Sequence, residues 1–216
     1  MNKTKHPAVG LGEIRAWLED GARVALFIRH AERPPLQDDD PTFGATLALT
    51  EQGQQQALAF GAQLRGVVPN ARLLASPMER TRRTVQLIAE GAGLGANLPV
   101  EDASEIGVDN VFLDSAGAHR EMQRISAMVY MIDYLTAGQA LYSRPVPEAT
   151  RLAIEWIQQA ATAPLNIFGS HDVTIATALT GLGLAQFSLD NWLPYLTGLA
   201  MVERNGVWQH HCLNAV

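Results

Sequence analysis

The stretch LFIRHAERPP, Leu26–Pro35, is the most informative segment of this chain. An apolar run over residues 24–28 predicts a buried strand, and polar side chains begin where that strand ends. His30 stands there, with Arg29 before it and Arg33 shortly after it. Nearby cations disfavour protonation of an imidazole, so we expect His30 to be neutral and nucleophilic. Because arginine forks grip phosphate oxygens, the segment indicates chemistry on a phosphoryl group. A solvated loop with a local Glu32–Arg33 pair is the alternative.

The composition is that of an ordinary globular protein, with 216 residues, 47% hydrophobic and 18% charged. It predicts one domain over 1–216, with a small cap or insert region around 97–150. The net charge of −6 argues against nucleic acid or an anionic membrane as a partner.

No apolar run is long enough to span a membrane, and no signal peptide is visible. With Cys212 as the lone cysteine, we expect a cytoplasmic protein, and a periplasmic one stays open. The oligomeric state is not readable from the sequence.

Strand-like segments alternate with helical ones along most of the chain. This order predicts an α/β fold with a doubly wound, mostly parallel sheet in a three-layer α/β/α sandwich. A C-terminal β-hairpin is expected around Asn205-Gly206, a pair that favours a tight primed turn. The predicted strands are 23–29, 72–75, 98–101 and 165–168, and the predicted helices are 11–20, 51–65, 77–90, 120–136, 147–162 and 173–182.

Three predicted strand–helix junctions carry residues suited to catalysis: Arg29-His30, Ser76–Arg80 and His171-Asp172. Ligands of open α/β sheets bind outside the carboxyl ends of the strands, so residues distant in sequence meet there. With Ser76 as N-cap and Pro77 as the first helical residue, the second junction would also direct backbone donors at an anion. The acidic run 38–41 has the look of a cation site, although solvated loops of this composition are more common.

Four motifs resemble those of the histidine phosphatase superfamily, which has the phosphoglycerate mutase fold. RHAERPP, 29–35, is similar to the Arg-His-Gly-x-Arg-x-Pro segment of the acid phosphatase and phytase branch, with Ala31 in place of glycine. HDVTI, 171–175, is similar to the His-Asp pair of the same branch. LTEQGQQQA, 49–57, and SPMERTRRT, 76–84, resemble segments found across the superfamily. The resemblance is closest to the acid phosphatase and phytase branch, of which this chain would be a compact member. If the nucleophile loop needs a positive φ at Ala31, catalysis would suffer, but alanine is the smallest alternative to glycine and we expect it to be tolerated.

The resemblance implies a metal-independent phosphatase that works through a phosphohistidine on His30 and needs no cofactor. It implies a phosphate pocket formed by Arg29, Arg33, Arg80 and His171, with Asp172 as the general acid. We expect an acidic to near-neutral pH optimum.

Glu32 is a lesser candidate for the acid, its alternative role being to orient an arginine. Other branches take the acid from the region that here contains Glu101, Asp102 and Glu105. Trp192 and Tyr195 are interpreted as packing residues, with the wall of a substrate mouth as the alternative.

Two other functions stay open at this point. A phosphomutase or phosphotransferase on the same fold would return the phosphoryl group to an organic acceptor. A non-catalytic module would only bind a phosphorylated ligand. The expected partner is a phosphorylated small molecule or a phosphoprotein, and its identity is not readable from the sequence.

Overall fold

The computed structural model describes residues 8–36, 42 and 44–214, so the acidic run 38–41 lies outside the described residues. Within them the chain forms six strands and seven α-helices. The strands are β1 Arg23–Arg29, β2 Ala71–Ala75, β3 Val100–Asp102, β4 Leu165–Ser170, β5 Gly198–Arg204 and β6 Val207–Leu213. The helices are α1 Leu11–Glu19, α2 Glu51–Ala62, α3 Glu79–Gly91, α4 Ser115–Ile125, α5 Ala127–Ala137, α6 Val146–Ala160 and α7 Asp172–Gly181.

The strands form one mixed sheet in the order β3-β2-β4-β1-β5-β6. The first four strands of the chain run parallel, while β5 lies antiparallel to β1 and β6 antiparallel to β5. Asn205 and Gly206, with φ of 55° and 81°, form the predicted hairpin turn. The predicted fold class is therefore confirmed.

Helices cover both faces of the sheet because the central strands are apolar on both sides. On β1, Val24, Leu26 and Ile28 face the core shared with α1, α2 and α3. Ala25 and Phe27 face the second core, shared with α6 and α7. Phe27 is fully buried, and burial of such a side chain contributes about 1.5–3 kcal/mol. The strand that ends at the Arg29-His30 pair is thus held firmly from both sides.

The start of α2 fixes the loop that follows β1. Thr50 caps the helix as predicted, and its Oγ1 accepts a hydrogen bond of 2.9 Å from the Gly53 amide. A Cβ on Gly53 would lie 2.2 Å from the Glu32 carbonyl oxygen, so only glycine permits this approach. The backbone after His30 therefore lies directly against the first turn of α2.

Two predicted helices differ from the observed ones. Helix α3 begins at Glu79 with Met78 as its N-cap, because the Ser76 hydroxyl bonds to His171 and Thr81 instead of capping the helix. The helix predicted over 120–136 is two helices, α4 and α5, separated by Ser126 at a φ of 84°.

The segment 97–150 contains β3, two short 3-10 helices, Ser104–Ile106 and Val108–Asn110, the helices α4 and α5, and the start of α6. Side chains of α4 and α5 form a third apolar cluster with Val173 and Ala176 of α7. The assignment of this segment as a cap within one domain stays a prediction. No helix among the described residues is long and apolar enough to cross a membrane.

Candidate active site

Strand register brings the three predicted junctions together. Arg29, the last residue of β1, pairs with Ser170, and Ala75 at the end of β2 pairs with Gly169. The residues that follow are His30, His171 and Ser76, which therefore emerge side by side at one edge of the sheet. The His30 amide donates to the Ser170 carbonyl at 2.9 Å, which extends the ladder by one residue into the site.

His30 is held in one tautomer. Its Nδ1 lies 2.8 Å from the Ala31 carbonyl oxygen, which can only accept, so Nδ1 carries the hydrogen and Nε2 keeps its lone pair. The side chain is 2% exposed, and burial lowers its pKa to about 3, helped by the charges of Arg80 and Arg29. His30 is therefore neutral at pH 7, and Nε2 is the nitrogen able to act as a nucleophile.

Ala31 is compatible with this loop. It is not among the described residues with positive φ, so glycine is not required for backbone conformation at this position. The Ala31 amide donates to Thr84 Oγ1 at 3.0 Å, and the residue is completely buried. This bond ties the loop to α3.

Arg80 and His171 support each other. Arg80 Nη2 lies 3.3 Å from His171 Nδ1, and a guanidinium can only donate, so Nδ1 accepts and Nε2 carries the hydrogen. His171 Nε2 then donates to Ser76 Oγ at 2.7 Å. Burial, together with the charge of Arg80, lowers the pKa of His171 well below its usual value. Arg80 Nη1 also donates to the Gly44 carbonyl at 2.6 Å. In this arrangement His171 holds the Arg80 guanidinium, and its direct contact with phosphate stays a prediction.

Arg29 and Asp172 form an ion pair beside the two histidines. Arg29 Nη2 lies 2.8 Å from Asp172 Oδ2, and Arg29 Nη1 donates to the Leu193 carbonyl. The Tyr195 ring lies beneath the guanidinium, 4.1 Å from Cζ to the ring centroid. Although burial of the carboxylate opposes ionisation, Arg29 and a hydrogen bond from Trp192 lower the pKa of Asp172 to about 2. Asp172 is therefore a carboxylate at neutral pH.

Arg33 is half-buried and lies close enough to Arg80 for the two charges to interact. Its Nη1 donates to the Pro34 carbonyl at 2.7 Å. Burial, followed by the charge of Arg33, lowers the pKa of Arg80 to about 10, so Arg80 remains a cation at pH 7. The Nε atoms of Arg29, Arg33 and Arg80 are buried without a hydrogen-bond partner among the described residues. A buried donor without a hydrogen-bond partner is costly. These three guanidinium groups lie with a single carboxylate, that of Asp172, so the positive charge in excess suits the binding of a dianion.

The other predicted acids have hydrogen-bond or ion-pair partners outside this cluster. Glu32 Oε1 accepts from Thr50 Oγ1 at 2.9 Å, which links the loop to the α2 cap. Glu101 pairs with Arg72, and Asp102 pairs with Arg82. Glu105 is exposed and accepts from the hydroxyl of its neighbour Ser104 at 3.3 Å. Among the described residues, no group of three or more His, Cys, Asp or Glu side chains is arranged to hold a metal ion.

The segment 192–195 contributes more to the site than the sequence indicated. Trp192 Nε1 donates to Asp172 Oδ2 at 3.0 Å, the Leu193 carbonyl binds Arg29, and Tyr195 stacks on Arg29. The Tyr195 ring also lies 5.7 Å from the His30 ring. The two aromatic residues were the available signal, but their interpretation as packing residues missed these polar contacts.

The family model described as the histidine phosphatase superfamily (branch 1) matches residues 25–107. A search of curated proteins found no match. Among solved structures, a mycobacterial glucosyl-3-phosphoglycerate phosphatase is 14% identical with a TM-score of 0.61, covering 90% of this chain and 100% of that one. A phosphoglycerate mutase from Bacillus anthracis is 15% identical with a TM-score of 0.54, covering 90% and 92%. A phosphoserine phosphatase from Entamoeba histolytica is 16% identical with a TM-score of 0.55, covering 87% and 94%.

The structural neighbours share the fold of this chain and include both phosphatases and a mutase. The matching family model is that of branch 1, and the predicted acid phosphatase and phytase branch is not confirmed. The family model thus matches the segment 25–107, which contains His30 and Arg80, and the structural neighbours show that the fold is phosphoglycerate mutase-like.

Proposed function

We propose that the protein is a metal-independent phosphatase that hydrolyses phosphomonoesters through a phosphohistidine on His30. The observation that carries this proposal is the buried, neutral His30, whose Nδ1 hydrogen is held by the Ala31 carbonyl while Nε2 keeps its lone pair. A nucleophile in this state needs no deprotonation before it attacks phosphorus.

The arginines supply the second requirement of the reaction. Arg29 and Arg80 are more than nine-tenths buried, so their charges act with little screening by water. Charge on the equatorial oxygens of the transferring phosphoryl group would be stabilised by Arg29, Arg33 and Arg80. His171 is proposed to assist by holding Arg80, and by direct contact with the phosphate as the resemblance implies.

The proposed reaction has two steps. In the first, His30 Nε2 forms a bond to phosphorus as the ester P–O bond breaks, and Asp172 delivers a proton to the departing oxygen. In the second, Asp172 takes a proton from water, whose oxygen attacks phosphorus as the N–P bond breaks and inorganic phosphate forms. The His-Asp pair assigned these roles resembles that of the acid phosphatase and phytase branch.

The proton for the first step must come from outside the resting site, since Asp172 with a pKa of about 2 is ionised there. A phosphate monoester loses its second proton near a pH of about 6. Below that pH the substrate carries the proton into the site, and Asp172 can relay it to the leaving oxygen. We therefore expect an optimum on the acidic side of neutrality, consistent with the sequence-based expectation.

The test is hydrolysis of 4-nitrophenyl phosphate from pH 4 to 9 in the presence of EDTA. We expect turnover by the native protein, its loss in His30→Ala, and native turnover in the control His210→Ala, whose side chain lies on β6 away from the cluster. Turnover that persists in His30→Ala would overturn the proposal. Products are measured with and without added glycerol, because phosphoryl transfer to glycerol in place of water would identify a phosphotransferase instead. The substrate is proposed to be a phosphorylated small molecule or a phosphoprotein.

A further inference from the structure

The carboxylate of Asp172 has donors on both oxygens. Oδ2 accepts from Arg29 Nη2 at 2.8 Å and from Trp192 Nε1 at 3.0 Å. Oδ1 accepts from the amide of Val173 at 2.9 Å. A carboxylate oxygen has two lone-pair sites, so Oδ2 is fully occupied and Oδ1 retains one free site. The two oxygens are thus chemically different.

Packing fixes the indole that creates this difference. The Trp192 ring contacts the Phe187 ring edge-on, with centroids 5.5 Å apart, and packs against the apolar cluster that includes Val173. Val173 is the residue directly after Asp172 and begins the buried face of α7. The indole N–H is therefore held in a defined position relative to the first turn of that helix.

We propose that Trp192 is a positioning residue that orients the Asp172 carboxylate so that Oδ1 exchanges the proton with the leaving oxygen and with water. The proposal rests on the function proposed above. Without the indole N–H, Oδ2 would have a free site, and rotation about the Cβ–Cγ bond would no longer be restricted to one arrangement. The proton would then be shared between two oxygens, one of them directed at Arg29.

Access to Asp172 is consistent with this role. Its side chain is 28% exposed, whereas that of Arg29 is 10% exposed. The Asp172 side chain is therefore more accessible than that of its ion-pair partner. Because the indole N–H of Trp192 bonds to Asp172, it should matter for proton transfer and not for binding of the phosphoryl group.

The test compares native protein, Trp192→Phe and the control Trp17→Phe on two substrates. An alkyl phosphate such as glycerol 2-phosphate has a poor leaving group that needs the proton, and 4-nitrophenyl phosphate has a good one that does not. For Trp192→Phe we expect kcat/KM on the alkyl phosphate, which reports formation of the phosphohistidine, to fall about tenfold or more, as for loss of a hydrogen bond to a charged group. Its kcat/KM on the aryl phosphate should change less than about threefold, because that leaving group needs no proton in this step. Trp17→Phe should match the native protein.

An equal loss on both substrates, or no loss, would overturn the inference. If Trp192→Phe fails to fold, 3-benzothienylalanine at position 192 replaces the indole N–H with sulfur while keeping the ring shape, and the same pattern is expected. His30→Ala is assayed beside these variants on the aryl phosphate. Persisting turnover in His30→Ala would remove the proposed function itself, whereas an inactive His30→Ala with an unaltered Trp192→Phe would remove only the role of Trp192.

Discussion

Ser76 Oγ accepts a hydrogen bond of 2.7 Å from His171 Nε2, joining the residues that follow two parallel strands. Because His171 Nδ1 accepts from Arg80, the serine indirectly fixes the position of that guanidinium. Both Ser76 and His171 are almost completely buried, so water cannot replace the bond. A serine expected to cap a helix thus supports a cation of the candidate phosphate site.

Replacing Ser76 with alanine should leave His171 Nε2 buried without an acceptor. We expect the free energy of unfolding in urea to fall by about 1–3 kcal/mol, the usual cost of an unpaired buried polar group. We also expect kcat/KM to fall, because Arg80 loses its support. Ser104→Ala, which changes an exposed hydroxyl, is the control for both measurements. An unchanged stability and activity in Ser76→Ala would show that the hydrogen bond has no role.

Much of this geometry could be predicted from the sequence because it depends on local patterns. The apolar run before Arg29 predicted β1 with its observed bounds, and the Thr50 cap and the Asn205-Gly206 turn were confirmed. The cluster of Arg29, His30, Arg80, His171 and Asp172 followed from placing three junctions at one sheet edge.

The errors arose where a long-range contact outweighs a local preference. Ser76 had the local features of an N-cap, but His171, 95 residues away, takes its hydroxyl. The break at Ser126 has no proline or glycine to mark it. The acceptor for Arg29 at Leu193 is a backbone carbonyl, which no side-chain pattern reveals. Leu196 adopts a φ of 56°, and its amide donates to the Arg29 carbonyl, an arrangement set by the sheet and not by local sequence.

Arg80→Lys should weaken binding of phosphate although the charge is kept. Arg80 uses two separate N–H groups to reach Gly44 and His171, and lysine cannot reproduce this planar fork. We expect the inhibition constant of inorganic phosphate to rise about tenfold or more. Arg82→Lys, two residues along the same helix and paired with Asp102 at the surface, should leave that constant unchanged. Equal effects of the two substitutions would count against a phosphate site at Arg80.

The identity of the acid can be tested by comparing Asp172→Asn with Glu32→Gln. If Asp172 delivers the proton, its replacement should lower kcat/KM on an alkyl phosphate, which reports formation of the phosphohistidine, by about 10²–10⁴, the range for general acid catalysis. The loss of kcat/KM on 4-nitrophenyl phosphate should be much smaller, since that leaving group needs no proton. Glu32→Gln should lack this dependence on the leaving group, because Glu32 bonds to Thr50 outside the cluster. The opposite pattern, or the same signature in Glu105→Gln, would reassign the acid.

Acid should destabilise the protein through His30. Its pKa is about 3 in the folded protein and 6.5 in the unfolded chain, so between these values the unfolded chain binds the extra proton. Stability contributed by neutral His30 is therefore complete above pH 6.5 and declines as the pH falls towards 3. Between pH 7 and 5 this single group should reduce the free energy of unfolding by about 2 kcal/mol.

Urea titrations of the native protein and of His30→Gln at pH 7 and 5 measure this contribution. The decrease in unfolding free energy between the two pH values should be smaller in His30→Gln by about 2 kcal/mol. His171 remains in both proteins, so its own contribution cancels in the comparison. Identical decreases would mean that His30 is not held neutral by the fold.

If the phosphoryl group passes through His30, a phosphorylated His30 can be trapped during turnover. The native protein is mixed with 4-nitrophenyl phosphate, quenched in alkali within milliseconds to seconds, digested and analysed by mass spectrometry. We expect phosphate on the peptide that contains His30, at Nε2, and no such adduct in His30→Ala or in unreacted protein. Turnover without any phosphorylated His30 peptide, or an adduct on another residue, would contradict this expectation.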